Sequence, residues 1–350
     1  LALAVGIAAA EPAPTPLQQV QELLANGDYE DAEAGANERL EVLASNGDAN
    51  GVEAAELLDV LLESRWRTGL VDEETRGYGL RALEIKKSLL GPRDAGVGKT
   101  MHHLAIVAFF NGEYAEAQLL WEQAIEIRGE ALGPEHADVA ESMNGLANLL
   151  QTTGDYATAR ELYRGAVEIR EKVYGPEHPR VAQSLNNLAV LLTETGAYAE
   201  ALPLGERALA IKREAFGDEH PQVAVSLVNL ADTLEFMGEP ERSKAMLDQA
   251  LAIWEKVAGP DDPQVAATLN NLAEHLRRQG LYAEAEPLYR RALAIWESAY
   301  GSEHPRIALV LNNLAEVEQA TGDLAGAQAL LERSLAIREA ALGPDHPVVA

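Results

Sequence analysis

The chain contains no cysteine, so disulfides, thiolate metal ligands and thiol nucleophiles are excluded outright. It is also short of positive charge: 28 Lys and Arg stand against 56 Asp and Glu, a net charge of −28. Nucleic acid and anionic lipid both need basic surface to neutralise phosphates, so neither fits as a partner. Long apolar runs are missing as well. The longest, LALAVGIAAA at residues 1–10, is about half of what a membrane span needs. No stretch shows the apolar–polar alternation of a half-buried strand.

What is present is repetition. Gly91, Gly133, Gly175, Gly217, Gly259, Gly301 and Gly343 follow one another at intervals of 42 residues. A second series, Gly112, Gly154, Gly196, Gly238, Gly280 and Gly322, keeps the same interval inside the unit. Self-similarity at this period predicts one supersecondary unit copied many times, not separate globular domains. The 47% hydrophobic fraction is ample for a packed interior.

Within a unit, Gly175-Pro176 marks the end of one helix, where glycine suits the position past the helix and proline cannot continue it. Pro179 then suits the first position of the next helix. Leu185, Leu188, Ala189 and Leu192 form an apolar stripe of helical period. Gly196 turns the chain, and Tyr198, Ala201, Ala208 and Ile211 begin the apolar face of a second helix. Asp155 and Asp323 are predicted N-caps in their units. Residues 91–342 hold six such units, residues 17–90 two degenerate ones, and residues 343–350 begin another. Gly77-Tyr78-Gly79 is expected to interrupt a helix, and Pro240 with Ser243 predicts looser packing in the unit spanning 217–258. Residues 1–16 read as the apolar region and cleavage zone of a secretory signal followed by a Pro-rich linker. The tail of a membrane anchor and an ordinary terminus are the alternatives. The first two place the repeats outside the cytoplasm, in the periplasm or beyond the cell. The breaks at both ends predict a fragment of a longer chain.

The string NNLAVLLTETGAYAEA at 186–201, the recurring ALAI ending of the second helix and the GPEHP joint resemble the tetratricopeptide repeat. The resemblance is to its 42-residue form, as in kinesin light chains and their bacterial relatives. It implies an all-α, right-handed superhelical solenoid of helix–turn–helix units. It also implies a scaffold that binds a protein or an extended peptide in a concave groove lined by the first helices, with no catalysis of its own and no cofactor.

Carried onto this sequence, the groove receives His102 and Phe109, then Asn144 and Asn148, then Asn186, Asn270, Glu274, Arg277, Asn312 and Glu316. The ladder Asn144, Asn186, Asn270, Asn312 stands out, because an amide both donates and accepts and can pair with any peptide backbone. Their neighbours Asn187, Asn229, Asn271 and Asn313 are expected to face the packed side. Acidic groove positions, including Asp232 and Glu235, outnumber Lys99 and Arg277, so the expected guest is neutral to basic. His102, Ile106, Phe109 and Phe110 form an aromatic end that would suit a hydrophobic anchor or simple packing.

Three suggestive patterns carry no chemistry. Gly96-Val97-Gly98-Lys99-Thr100 lacks the leading glycine and preceding strand of a phosphate loop. His136, His178, His220, His304 and His346 occur once per repeat and cannot converge on one metal, so they read as caps or joint residues. The scattered carboxylates have no paired, buried setting for acid–base work. Arg128, Arg170, Lys212, Trp254, Trp296 and Arg338 share one position on the second helices and should form a ridge that covers neighbouring helices, or else a second contact patch. The sequence thus describes an exported protein-binding scaffold. The alternatives are the sensing arm of a larger enzyme, such as one bearing a caspase-like peptidase domain, and a self-assembling solenoid.

Overall fold

A computed structural model describes residues 14–342, and the predicted leader at 1–10, the joint at 343–350 and His346 lie outside the described residues. The described residues form sixteen helices and no strand. The degenerate opening units give α1 (Pro16–Asn26), α2 (Tyr29–Ser45), α3 (Val52–Arg67) and α4 (Glu73–Leu89). The regular units give α5 (Ala95–Phe110), α6 (Tyr114–Leu132), α7 (Ala137–Thr153) and α8 (Tyr156–Tyr174). They continue with α9 (Pro179–Glu194), α10 (Tyr198–Phe216), α11 (Pro221–Phe236) and α12 (Pro240–Val257). The last four are α13 (Pro263–Arg278), α14 (Tyr282–Tyr300), α15 (Pro305–Thr321) and α16 (Leu324–Leu342). Odd-numbered helices are the first of each pair and even-numbered the second.

The contacts divide the chain into two units, Leu1–Val173 and Tyr174–Ala350. In the first, each helix from α2 to α7 packs on the one before it, and α1, α3, α5 and α7 also touch in succession. In the second, consecutive helices from α9 to α16 pack in the same way, while α9, α11, α13 and α15 lie side by side. Each unit is therefore a stack of helix pairs whose first helices share one layer.

Local chemistry fixes where these helices begin and end. Gly154 ends α7 with φ +89°, a left-handed conformation that costs glycine nothing. Asp155 and Asp323 accept the backbone N–H of Thr158 and Gly326, as N-caps should. The joint histidines also cap: Nδ1 of His136, His178, His220 and His304 accepts the N–H two residues on, at 3.1–3.2 Å. Asp262 takes over that role ahead of α13. Tyr174, Phe216 and Tyr300 stack on His178, His220 and His304 with ring centroids 4.6 Å apart, which locks each cap.

Two sequence expectations need correcting. Gly77-Tyr78-Gly79 does not interrupt α4, which runs unbroken to Leu89. Gly79 is small because α4 passes close to its neighbours: a Cβ there would lie 2.6 Å from Leu104 and 2.9 Å from Leu62. The unit at 217–258 closes like the others. Pro240 occupies the first turn of α12, where its missing N–H costs nothing, and Ser243 is buried where other units bury alanine.

The cores follow the predicted stripes. Leu185, Leu188 and Leu192 on α9, and Leu227 and Leu234 on α11, are almost fully shielded from solvent, each stabilising by roughly 1.5–3 kcal/mol. Gly96–Thr100, the false phosphate loop, is the first turn of α5, where Asp94 caps Gly96 N–H and Thr100 Oγ1 donates to Asp59 at 2.7 Å.

Candidate functional site

Core packing uses up the inner stripe of each first helix, leaving the opposite face to act. In the first unit that face holds His102, Phe109 and Asn148. His102 is buried, and its Nδ1 receives Trp121 Nε1–H at 3.2 Å. Indole only donates, so Nδ1 is the bare nitrogen and the proton sits on Nε2, which faces Glu141 at 3.9 Å. Burial pulls His102 down to about 4, against the pull of Glu141, so the ring is neutral at pH 7. His103 repeats the arrangement: Trp66 Nε1–H meets its Nδ1 at 3.2 Å, and Nε2 lies 3.3 Å from Glu63. Burial pushes it well below the ordinary histidine range. Phe109 packs on Phe110, Tyr114 and Trp121, so His102 and Phe109 are packed rather than offered. Phe110 and, less so, Tyr114 are the exposed members of that group.

The asparagine ladder also differs from its expectation. Asn144, Asn186 and Asn270 are only 7–8% exposed, and Asn312 is half-buried. Their neighbours Asn187, Asn229, Asn271 and Asn313 are the more accessible row. The physical reason is a polar staple between repeats. A cation on the second helix reaches a hydroxyl on the next first helix, and that hydroxyl meets the ladder residue of the preceding one. Lys212 Nζ donates to Ser226 Oγ at 2.9 Å, and Ser226 Oγ lies 3.5 Å from Asn186 Oδ1. Arg128 donates to Ser142 Oγ at 2.9 Å, and Ser142 Oγ lies 3.3 Å from His102 Nδ1. Farther on, Asn313 Nδ2 donates to Asn270 Oδ1 at 3.2 Å. Asn144 Nδ2 donates to its own helix, at Ala140 O.

The predicted ridge supplies these cations, so it is interior rather than a contact patch: Arg128, Arg170, Lys212 and Trp296 are all buried, while Trp254 and Arg338 are partly so. Sequence reading missed its first member. Lys86 stands 42 residues before Arg128 and ion-pairs with Asp59 at 2.5 Å and Glu56 at 2.7 Å. The insertion before Gly112 hid the alignment of Asp59 with His102.

A second interior position holds the face in shape. Trp121, Tyr163 and Tyr289 occupy equivalent sites on second helices, buried along their whole length, with a polar tip that reaches the first helix. Tyr163 OH donates to Asn148 Oδ1 and lies 3.0 Å from Gln151 Oε1. Tyr289 OH donates to Glu274 Oε2 at 3.0 Å. Glu274 also receives Arg277 Nη2 and Arg278 Nε, each at 2.8 Å, and Arg277 Nη1 crosses to Glu316 at 2.7 Å. Burial works against the Glu274 charge, but the two guanidiniums and the phenol outweigh it and bring the carboxyl down to about 2. Glu274 and Arg277 are half-buried, while Asn148 and Glu316 are exposed.

In the second unit the accessible face therefore consists of three parallel rows across α9, α11, α13 and α15. Gln183, Val225, Ala267 and Leu309 form the first, the amides Asn187, Asn229, Asn271 and Asn313 the second, and Val190, Asp232, Glu274 and Glu316 the third. Among the described residues no three His, Asp or Glu side chains converge as metal ligands. No described helix is long and apolar enough to cross a membrane.

No curated protein matches the chain. Among solved structures it is similar to BtubC (BKLC) from P. vanneervenii, at 27% identity and a TM-score of 0.55, over 68% of this chain and 93% of that one. It is also similar to the nearly identical TPR-like repeats assigned to a kinesin light chain of Podosopora anserina, at 31% identity and a TM-score of 0.50, over 59% of this chain and 99% of that one. A Rap protein complexed with competence and sporulation factor shares the fold, at 17% identity and a TM-score of 0.61, over 93% and 97%. Such repeats are typical of protein–protein interaction scaffolds and are generally non-catalytic. The family model described as tetratricopeptide repeat matches residues 100–164, 138–214, 198–256, 222–298, 264–340 and 306–350, and the chain belongs to that family.

Proposed function

We propose that the chain is a non-enzymatic scaffold that holds an extended segment of a partner protein against the first helices. The observation that carries this reading is the anchoring of the face from beneath. The buried Tyr289 fixes Glu274, and Arg277 ties Glu274 to Glu316 on the next first helix. A face held rigid before binding loses little entropy on docking. The half-exposed amides Asn187, Asn229, Asn271 and Asn313 can pair with a peptide backbone whatever its sequence. They replace the buried ladder in this role. The face is acidic, so its guest is neutral to basic, and an exported setting is in keeping with the apolar stretch at 1–10.

The test uses peptides selected from a random display library against the whole chain. Glu316→Arg together with Gln319→Arg, both at exposed positions, should abolish their binding while the melting temperature holds. Selected peptides that bind this variant as tightly as the parent would remove the face from consideration.

A further inference from the structure

We propose that the face of the second unit takes an extended segment in which apolar residues alternate with lysine or arginine, and that Asp232 selects the basic residue. The inference rests on the scaffold reading above and names the guest's chemistry.

Two rows of unlike character run along the layer of first helices. The row Val225, Ala267, Leu309 is apolar, and it stays uncovered: Val225 is 38% and Leu309 51% exposed. The row Asp232, Glu274, Glu316 is acidic and lies seven residues nearer the C-terminus of each helix. At 1.5 Å rise per residue the rows are about 10 Å apart. Successive side chains of an extended chain point to opposite sides. A segment lying along the amide row between them sends alternate residues to the apolar and the acidic side.

The acidic row is not uniform. Glu274 is committed to Arg277, Arg278 and Tyr289, and Glu316 to Arg277. Among the described residues no cation stands within ion-pairing distance of Asp232. Arg278, the guanidinium whose charge acts on Asp232, is engaged by Glu274 and stacked over Phe236 with its Cζ 5.2 Å from the ring centroid. The adjacent Glu235 bears the same charge and is turned to His275 at 2.6 Å. Asp232 is thus an exposed carboxylate among charges that are already paired, and an incoming ammonium or guanidinium group would supply the missing partner.

The probe is a fluorescent synthetic peptide alternating valine and lysine, with counterparts carrying glutamate or norleucine in place of lysine, titrated into the whole chain. The lysine peptide should bind and the other two should bind far more weakly. Asp232→Asn should weaken the lysine peptide about fivefold, as loss of one partly shielded ion pair does. Glu284→Gln, which removes an equal charge at an exposed site off this face, should leave it unchanged. Val225→Trp, a bulkier apolar group at an exposed position, should block binding. Equal weakening by Asp232→Asn and Glu284→Gln would overturn the proposal in favour of general attraction to an acidic protein. Blocking by Val225→Trp with no effect of Asp232→Asn would overturn the role of Asp232 and leave the scaffold reading standing. If no peptide binds, or Val225→Trp changes nothing, this proposal fails, while the scaffold reading stands or falls with the library-selected peptides.

Discussion

Lys86 Nζ lies 2.5 Å from Asp59 Oδ2 with both side chains sealed from solvent, whereas Lys212, at the same place in a later repeat, has among the described residues Ser226 Oγ at 2.9 Å as its side-chain partner and no carboxylate. One position in the repeat thus holds a buried ion pair in one unit and a buried cation with a single neutral partner in another. Burial alone would neutralise Lys86 and pushes Asp59 upward. Asp59 and Glu56 together outweigh it and hold Lys86 above the ordinary lysine range. We take the pair as ionised, since Asp59 also accepts Thr100 Oγ1–H.

Opposite outcomes follow for the two lysines. Lys86→Met leaves Asp59 buried without its counter-ion and should cost about 3–5 kcal/mol. Adding Asp59→Leu should restore most of the loss. Lys212 is drawn down to about 8 by burial. Its depressed value means that stability present above the ordinary lysine range is lost as pH falls through 8, so at pH 7 the charge is a burden. Lys212→Met should therefore raise the urea midpoint at pH 7, in keeping with Trp254 and Trp296 at the same site. A lowered midpoint would refute this.

The joint histidines offer a test of capping. His220→Ala should cost about 1 kcal/mol, because Gln222 N–H loses its acceptor. His220→Asp should lose much less, since Asp262 already caps α13 in that way. Equal losses in thermal melts would show that the stack with Phe216, rather than the cap, is what matters.

Gly145 stands where later units carry Asn187, Asn229, Asn271 and Asn313. A Cβ there would fall 2.5 Å from Trp121 Nε1, the atom that donates to His102. Gly145→Ala should destabilise by roughly 1–3 kcal/mol through overpacking and alter the near-ultraviolet signal of Trp121. An unchanged spectrum would mean that the indole is not held as described.

Asp232 sets a pH dependence of its own. Partial withdrawal from water, reinforced by Glu235 and opposed by Arg278, raises its carboxyl to about 6. A raised carboxyl favours the folded state while protonated, so its contribution is complete below the ordinary aspartate range near 4 and is lost as pH rises through 6. Asp232→Asn should raise the melting temperature at pH 7.5, with the gain disappearing towards pH 4. A gain that persists at pH 4 would contradict the assignment.

The 42-residue interval, the helix boundaries marked by Gly133-Pro134 or Gly175-Pro176, and the caps Asp155 and Asp323 were legible in the sequence. Each follows from backbone conformation or a local hydrogen bond, and these need only neighbours a few residues away. Which of two adjacent asparagines faces solvent was not legible. Helical spacing turns Asn186 and Asn187 about 100° apart, but the staple from Lys212 through Ser226 draws Asn186 inward from a different repeat. Arg277 meets Glu274 within α13 but also reaches Glu316 on α15, and that reach between repeats, like the lack of any ion-pairing cation at Asp232 on α11 among the described residues, is set by how the first helices pack. Local pattern and backbone preference made the repeat, while side-chain reach across neighbouring repeats decided which of its polar groups are spent on packing and which remain to bind.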